Sequence, residues 1–300
     1  MKFKAQAAVL LLLAAAARAE PPMISDTLHI AGSSVRIVIP PAEGDAGARK
    51  IVEWVRRNAV AVAAYYRGFP VHDAEVRVFL EEGSDQIHAK TFGGRLIRVQ
   101  LGDRFNPENF KDDWVMAHEM SHLAFPDLDA RLLWMQEGLA TYLEPLMRAR
   151  AGQLSEEKLW GDLLAGLPKG LPAEGDQGMD RTHTWGRTYW GGARFWLLAD
   201  MRIREQTQNK KSLDDVLRAI LEQGGDGSRH WTLEQVLAAA QKATGLDVLE
   251  KLHAEMGLKA EAEDLPALWK KLGVKEKGGK IIFDDAAPAA ELRRGITRRS

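Results

Sequence analysis

The chain has 300 residues, of which 45% are hydrophobic and 28% charged, and its formal net charge is −1. This composition is typical of a globular protein and excludes disordered, collagen-like and multi-span membrane classes. The sequence has no cysteine and eight histidines. Disulfides, thiolate metal sites and cysteine nucleophiles are therefore excluded, and any metal site must use His, Asp or Glu. The near-neutral charge gives no reason to expect a nucleic-acid partner.

The first nineteen residues have the three parts of an export signal. Lys2 and Lys4 supply positive charge, residues 7–17 form a short apolar run, and Ala17-Arg18-Ala19 matches an A-x-A cleavage site. The apolar run is shorter than the roughly 20 residues that a membrane-spanning helix needs. We therefore expect residues 1–19 to be a signal peptide. The mature protein is expected to be exported, periplasmic or secreted, without stable membrane insertion.

Residues 20–107 are predicted to form a small α/β lobe. Alternating apolar residues over 27–41 predict a hairpin, and apolar residues at helical spacing predict a helix over 51–66. Two short alternating segments, 76–80 and 97–101, predict strands that follow this helix.

Residues 108–258 are predicted to form a mainly helical lobe. The aspartates at 112–113 can begin a helix that ends at Pro126. A second helix follows and continues through Tyr142, until Pro145 disturbs it.

The rest of the chain is predicted to be helical with a charged end. A connection rich in glycine and proline over 161–178 leads to a long helix at about 189–205. Capping-box patterns at Ser212 and Thr232 predict two further helices. Residues 259–300 are expected to form a C-terminal appendage whose charged end is solvated and does not bind nucleic acid.

The segment His118-Glu119-Met120-Ser121-His122 is an H-E-x-x-H motif within the first of these predicted helices. Two histidines four positions apart project from one helical face, so both imidazoles can bind one zinc ion. Glu119 lies on the neighbouring side, where it can act as the general base on the attacking water. An ordinary surface helix can carry two histidines at this spacing, but the helical context is what the zinc motif requires.

A catalytic zinc takes three protein ligands, so a third ligand must be found. The metzincin pattern needs Gly and His where this chain has Phe125 and Leu128, which excludes that arrangement. Glu137 on the next predicted helix is the candidate that we favour, and Glu144, seven positions further along the same face, is the alternative. We expect one zinc ion per chain, bound by the two motif histidines and Glu137.

The segment around Glu137 also carries a family resemblance. Trp134, Glu137, Gly138 and Ala140 match a W-x-x-E-G-x-A segment residue by residue. Over roughly residues 93–225 the chain resembles the gluzincin zinc metallopeptidases of the peptidase MA-like group, in particular the alanyl and glycyl aminopeptidase families. The resemblance implies an α+β, thermolysin-like zincin fold in two lobes with the zinc site between them, Glu137 as the third ligand, and hydrolysis of peptide bonds.

The segment Tyr189-Trp190-Gly191-Gly192-Ala193 is similar to the Y-x-K-G-A segment of those families, with Gly191 where Lys is usual. The resemblance implies that Tyr189 stabilises the oxyanion, whereas the residue pattern alone favours a packed aromatic in a helix that also contains Trp190, Phe195 and Trp196. Two glycines within a helix cost about 1 kcal/mol each relative to Ala. They predict a close approach between this helix and the zinc helices.

Two departures from those families concern the inter-helix loop and the substrate's amine. Fourteen residues separate His122 from Glu137, fewer than is usual in the families. The aminopeptidases also carry a G-x-M-E-N segment on a strand before the zinc helix, and its Glu binds the substrate's free amine. The corresponding strand here reads Gly94-Arg95-Leu96-Ile97-Arg98 and offers no acid.

We therefore expect an endopeptidase-like enzyme that acts on a peptide or protein substrate. Residues 94–101 are expected to form a sheet edge to which an extended substrate adds as a further strand. The alternative is a non-catalytic envelope or binding protein that retains the metallopeptidase fold. The sequence leaves the oligomeric state open.

Overall fold

The computed structural model describes residues 24–41 and 44–298. The expected signal peptide, residues 1–19, lies outside the described residues. The described chain forms a mixed five-stranded sheet with one long helix, followed by a mainly helical part. The predicted α+β architecture is confirmed. None of the helices within the described ranges combines the length and apolar character that crossing a bilayer requires.

Strands β1 (Ile24–Ile30) and β2 (Ser33–Ile39) form the predicted antiparallel hairpin. Strand β3 (Asp73–Glu81) lies parallel to β2, and β5 (Leu96–Gly102) lies parallel to β3. Strand β4 (Ile87–Phe92) pairs antiparallel with β5, so the strand order is β1-β2-β3-β5-β4.

The prediction that residues 94–101 form the sheet edge is wrong, because β5 lies between β3 and β4. The edge is β4, which the sequence analysis did not identify. Residues of β4 alternate between partly buried and exposed, and none is fully buried. Ile87 and Ala89 of β4 pack against the core but are only partly buried, and an apolar stripe of two residues is too short to predict a strand.

Helix α1 (Gly44–Tyr66) covers one face of the sheet and forms the core of this part. Val55 and Val62 of α1 are fully buried, as are Val76 of β3 and Ile97 of β5. The apolar residues that predicted these elements are therefore the ones that pack between helix and sheet. The opposite face of the sheet carries the charged residues, which include Arg98 of β5.

The mainly helical part contains nine α-helices within the described residues. They are α2 (Val115–Ser121), α3 (Leu133–Arg150), α4 (Glu156–Gly166), α5 (Gly192–Thr207), α6 (Leu213–Glu222), α7 (Leu233–Thr244), α8 (Val248–Leu252), α9 (Leu265–Leu272) and α10 (Ala290–Thr297). A hairpin of β6 (Val274–Lys277) and β7 (Lys280–Phe283) precedes α10. The capping boxes predicted at Ser212 and Thr232 are confirmed at the starts of α6 and α7.

Two helix predictions need correction. Helix α3 does not stop at Pro145 but continues to Arg150, because Leu143 and Leu146 on either side are buried and their packing outweighs the lost hydrogen bond. Residues 156–166, half of which were assigned to a loop, form α4. Its start is capped by Ser155, whose side chain accepts a hydrogen bond from the Lys158 amide.

The charged C-terminal end is not a solvated tail. Helix α10 packs against α3, α5 and α9, and Ile296 is fully buried. Arg150 of α3 donates two hydrogen bonds, of 2.8 and 2.6 Å, to the Ile296 carbonyl. The side chain of Arg293 is also buried and donates to the carbonyls of Leu272 and Gly273. These arginines are used in packing, which their charge alone does not reveal.

Candidate metal centre

Helix α2 carries His118 and Glu119 of the H-E-x-x-H motif, and His122 begins the 3₁₀ turn (His122–Ala124) that directly follows it. The start of α2 is anchored by Asp113. The buried Asp113 carboxylate accepts hydrogen bonds from the Met116 amide at 3.3 Å and from the Trp54 indole of α1 at 2.9 Å. Burial raises the pKa of Asp113, against the effect of the hydrogen bonds that it accepts. Every residue of α2 is buried, so the position of its side chains is determined by packing.

Helix α3 brings Glu137 to the two histidines of the H-E-x-x-H motif. The Nε2 atom of His118 lies 3.1 Å from Glu137 Oε2, and that of His122 lies 3.6 Å from the same oxygen. Ligand atoms of the three residues all lie within 4.8 Å of one another. Donors that share one zinc ion, each about 2 Å from it, are separated by roughly 3–4 Å. Two imidazoles and one carboxylate at this separation fit a catalytic zinc ion.

The charge state of the cluster also suits a cation. Burial opposes ionisation of Glu137, but hydrogen bonds and charge from His118 and His122 outweigh it and hold the Glu137 pKa well below its usual range. Burial lowers the pKa of His122, whereas Glu137 and Glu119 raise it, and the net shift is upward. The carboxylate is therefore ionised at neutral pH and available as a ligand.

Glu119 points into the same cleft but is not part of the three-ligand cluster. It is 8% exposed, and the Thr91 hydroxyl of β4 lies 2.7 Å from its Oε2 atom and 2.9 Å from its backbone carbonyl oxygen. Thr91 therefore orients the carboxylate that the sequence singled out as a general base. Sequence reasoning missed Thr91 because β4 itself was missed.

Tyr189 lies in a π-helical turn, Arg187–Gly191, directly before α5. Its ring stacks beside the His118 imidazole, with centroids 6.2 Å apart, and on Trp185 at 5.8 Å. Burial, together with the charges of Glu137 and Glu119, raises the pKa of Tyr189 to about 12. The phenol therefore remains protonated and can donate a hydrogen bond at the metal centre. π-Helical turns are frequent at functional sites.

Glycines fix the distance between the helix of Glu137 and that of Tyr189. A Cβ atom on Gly192 would lie 2.1 Å from the Trp134 carbonyl oxygen, and one on Gly138 would lie 2.3 Å from the Gly192 backbone. The predicted close approach is confirmed for α3, the helix that carries Glu137. The candidate ligand Glu137, next to Gly138, is thereby held close to the turn that carries Tyr189.

Glu144, the alternative third ligand, lies away from the cluster. Its carboxylate pairs with Arg148 at 2.5 Å, and both side chains are buried. Burial raises the Glu144 pKa to about 7, against the opposing charge of Arg148. The geometry therefore supports Glu137 over Glu144 as the third ligand.

An open cleft of about 770 Å³ surrounds the metal centre. Strand β4 forms one wall, and the loop between α6 and α7 contributes residues 227–230 at one end. Arg98 does not line the cleft and lies over the rings of Phe79 and Phe92, while Arg95 pairs with Asp73. Neither of the two arginines in the segment that corresponds to the amine-binding strand lines the cleft.

Comparison with solved structures identifies the fold. The described chain superposes on an aminopeptidase N family protein from Idiomarina loihiensis with a TM-score of 0.64, at 14% identity and over 84% of this chain. The chain has a gluzincin metallopeptidase fold. An M1 zinc metallopeptidase from Deinococcus radiodurans matches the same fold with a TM-score of 0.53, at 17% identity and over 82% of this chain.

The gluzincin likeness is one of structure and covers part of each neighbour. A mutant of the Deinococcus radiodurans M1 zinc metallopeptidase, solved with a Tyr-Ser-Ala substrate, matches over 81% of this chain with a TM-score of 0.52 and 15% identity. The chain spans about half the length of these neighbours, from 49% to 54%. No protein-family model matches the sequence, and comparison with curated proteins found no relative.

Proposed function

We propose that the protein is an exported, zinc-dependent peptidase with endopeptidase-like character. The observation that carries this proposal is the cluster of His118, His122 and Glu137 next to a separate carboxylate, Glu119, in an open cleft. The gluzincin fold and a neighbour solved with a tripeptide substrate support a peptide or protein substrate. Export depends on the signal-peptide pattern of residues 1–19 alone.

The proposed reaction assigns one task to each side chain. Zinc, when bound, supplies a Lewis acid that polarises the scissile carbonyl and acidifies water at the site. Glu119 takes a proton from the attacking water and delivers it to the leaving amine. Tyr189 donates a hydrogen bond to the carbonyl oxygen as negative charge develops there. Thr91 holds the Glu119 carboxylate towards the cleft.

The proposed lobes meet at the cleft. The α/β lobe of residues 20–107 supplies the wall formed by β4, and the helical lobe of residues 108–258 supplies the zinc ligands. Residues 259–300 are a C-terminal addition. An extended substrate pairs with the free edge of β4 through main-chain hydrogen bonds, which give binding with little dependence on sequence.

The endopeptidase character rests on the lack of an amine-binding acid in the sheet wall. Neither β4 nor β5 contains Asp or Glu. A substrate ammonium buried without a carboxylate partner is costly. Substrates without a free N-terminus near the scissile bond therefore fit this cleft better.

The alternative function is a binding protein that keeps the fold and the metal but has no activity. A structural zinc site requires its ligands and has no use for a second carboxylate that does not bind the metal. The hydrogen bond between Thr91 and Glu119 favours an enzyme over a binding protein, because it orients a carboxylate that only a catalysed reaction needs.

Zinc-dependent cleavage of an unfolded protein substrate tests the proposal. The zinc-loaded protein should cleave it, a chelator should stop cleavage, and Glu119→Gln should keep zinc and fold but lose activity by at least a thousandfold. Glu108→Gln, at an exposed position outside the cleft, is the matched control and should keep the parent rate. Cleavage by Glu119→Gln at the parent rate would refute the general-base assignment.

Matched peptides with free and acetylated N-termini test the specificity. Equal or faster cleavage of the acetylated peptide, with internal products identified by mass, supports an endopeptidase. Stepwise loss of single residues from the free peptide alone would show that an amine anchor exists. Asp127, which lines the end of the cleft, is then the first acid to replace.

The N-terminal sequence of the secreted or periplasmic protein tests export. Cleavage after Ala19 predicts a mature chain that begins at Glu20. Recovery of the intact N-terminus in the cytoplasm would contradict this part of the proposal.

A further inference from the structure

A second cavity opens from the candidate metal centre. It has a volume of about 580 Å³ and lies between α3, α4 and the π-helical turn of Tyr189. It shares three lining residues with the main cleft: Trp114, His118 and Tyr189. A peptide bond held at the metal centre therefore has a flanking side chain within reach of this second cavity, which we call the side pocket.

Aromatic rings surround the mouth of the side pocket. Trp114 is 54% exposed and contacts the His118 imidazole edge-on, with centroids 5.5 Å apart. Trp185 is 61% exposed and stacks on Tyr189. Two large exposed rings beside a cavity leave apolar surface that an occupant can bury. Aromatic rings pack favourably against each other in stacked or edge-on geometry, so an aromatic occupant fits this mouth best.

The deeper walls of the side pocket are mainly apolar. Leu154, Leu163, Pro145 and Trp190 supply the apolar surface. Four of the six charged residues that line the pocket form two ion pairs, Glu144 with Arg148 at 2.5 Å and Lys158 with Asp162 at 2.5 Å. The other two, Asp112 and Lys169, are exposed, and the Lys169 ammonium lies over the Trp190 ring. The buried pair of Glu144 and Arg148 is therefore already matched, and an uncharged side chain fits the apolar wall best.

One polar group in the wall is available to an occupant. Pro145 lies within α3 and has no N–H to donate to the carbonyl of Thr141, four residues earlier. Both residues line the side pocket. The Thr141 carbonyl is thus an acceptor without its usual helical donor, at a residue that lines the side pocket.

We propose that the side pocket binds a Trp or Tyr side chain at one of the two substrate residues that flank the scissile bond. The aromatic ring packs between the tryptophans of the mouth and the apolar wall, and its N–H or O–H group donates to the Thr141 carbonyl. This inference rests on the proposed peptidase function and specifies its substrate class.

Peptides with acetylated N-termini that carry Trp, Tyr, Phe or Ala at each flanking position test the inference. At one of the two positions, Trp and Tyr should exceed Ala by roughly 30-fold in kcat/KM, since an aromatic side chain buries much apolar surface. Phe should fall several-fold below Trp and Tyr, because it lacks the donor. Rates for Phe equal to those for Trp and Tyr would overturn the role of the Thr141 carbonyl.

Two variants that narrow the side pocket should reduce the ratio of Trp to Ala cleavage by tenfold or more. Leu154→Trp places a larger side chain in the pocket. Ala165→Trp narrows the pocket from its exposed rim and serves as the test if Leu154→Trp does not fold. Leu164→Trp is the matched control, because Leu164 lies next to Ala165 in α4, is partly buried and does not line the pocket. The ratio should be unchanged in this control.

A binding measurement separates failure of the side pocket from failure of the peptidase function. Saturation-transfer NMR should detect N-acetyltryptophanamide, and not N-acetylalaninamide, on the parent protein, and Leu154→Trp should abolish the signal. If the protein cleaves peptides with equal rates for Trp and Ala at both positions, the side-pocket proposal fails and the peptidase proposal stands. If no peptide is cleaved, the peptidase proposal fails, and the amide binding alone decides whether the side pocket binds aromatic groups.

Discussion

The two walls of the cleft are built in different ways. The helical wall, formed by α2, α3 and the turn before α5, is buried, and the backbones of Gly138 and Gly192 touch within it. The sheet wall is the edge strand β4, half exposed and joined to the helical wall at Glu119 by the hydroxyl of Thr91. The proposed zinc ligands lie on the packed wall. The wall that is proposed to bind the substrate offers main-chain groups at a free edge.

The largest effect is expected from removing a ligand from the helical wall. His122→Ala should lose the zinc ion, because two remaining ligands bind zinc poorly. Metal content after dialysis, measured by mass spectrometry, should fall from one equivalent to near zero. Glu144→Gln should keep its zinc, since Glu144 pairs with Arg148 away from the cluster. One full equivalent in His122→Ala would refute the ligand assignment.

The next largest effect is expected from a methyl group placed between α3 and α5. Gly192→Ala places a Cβ atom against the backbone of Trp134 and Gly138, neither of which can rotate away. We expect a loss of about 3 kcal/mol in the free energy of unfolding, or roughly 10 °C in Tm, together with weaker zinc binding. Gly68→Ala, where nothing lies within 4 Å, is the control and should change Tm by little. Equal Tm values for both variants would contradict the close packing.

Removal of the phenol should affect chemistry without affecting the fold. Tyr189→Phe should lower kcat about a hundredfold with little change in KM, as expected for loss of one oxyanion donor. Tyr66→Phe is the control, because the buried Tyr66 hydroxyl has no hydrogen-bond partner among the described residues and is not in the cleft. A hundredfold rise in KM with kcat unchanged would place Tyr189 in substrate binding instead.

The smallest effect is expected in the sheet wall. Thr91→Val removes the hydroxyl that orients Glu119 and should lower kcat about fivefold, with zinc content unchanged. Thr91→Ser keeps the hydroxyl and should restore most of the rate. A loss as large as that of Tyr189→Phe would show that the sheet wall positions the reacting groups as firmly as the helices do.

Sequence reasoning succeeded where local spacing determines geometry. The two histidines of the H-E-x-x-H motif had to share a face, and the paired glycines at the start of α5 had to meet a neighbouring backbone. It failed where contacts between distant parts of the chain determine the local structure. Strand β4 turns only two partly buried apolar residues to the core, α3 passes Pro145 because its neighbours are buried, and Arg293 is buried by contacts with residues far along the chain.

The number of residues in the π-helical turn before α5 determines the direction in which the Tyr189 side chain points. Each residue of an α-helix rotates the next side chain by about 100°, so one extra residue in a turn rotates everything before it by that angle. Deletion of a single residue between Arg187 and Gly191 would give a regular helix with a complete set of hydrogen bonds. It would also turn Trp185 and its neighbours away from the metal centre. A regular α-helix at this turn would therefore orient these side chains differently, and the π-helical turn keeps the orientation that the structure shows.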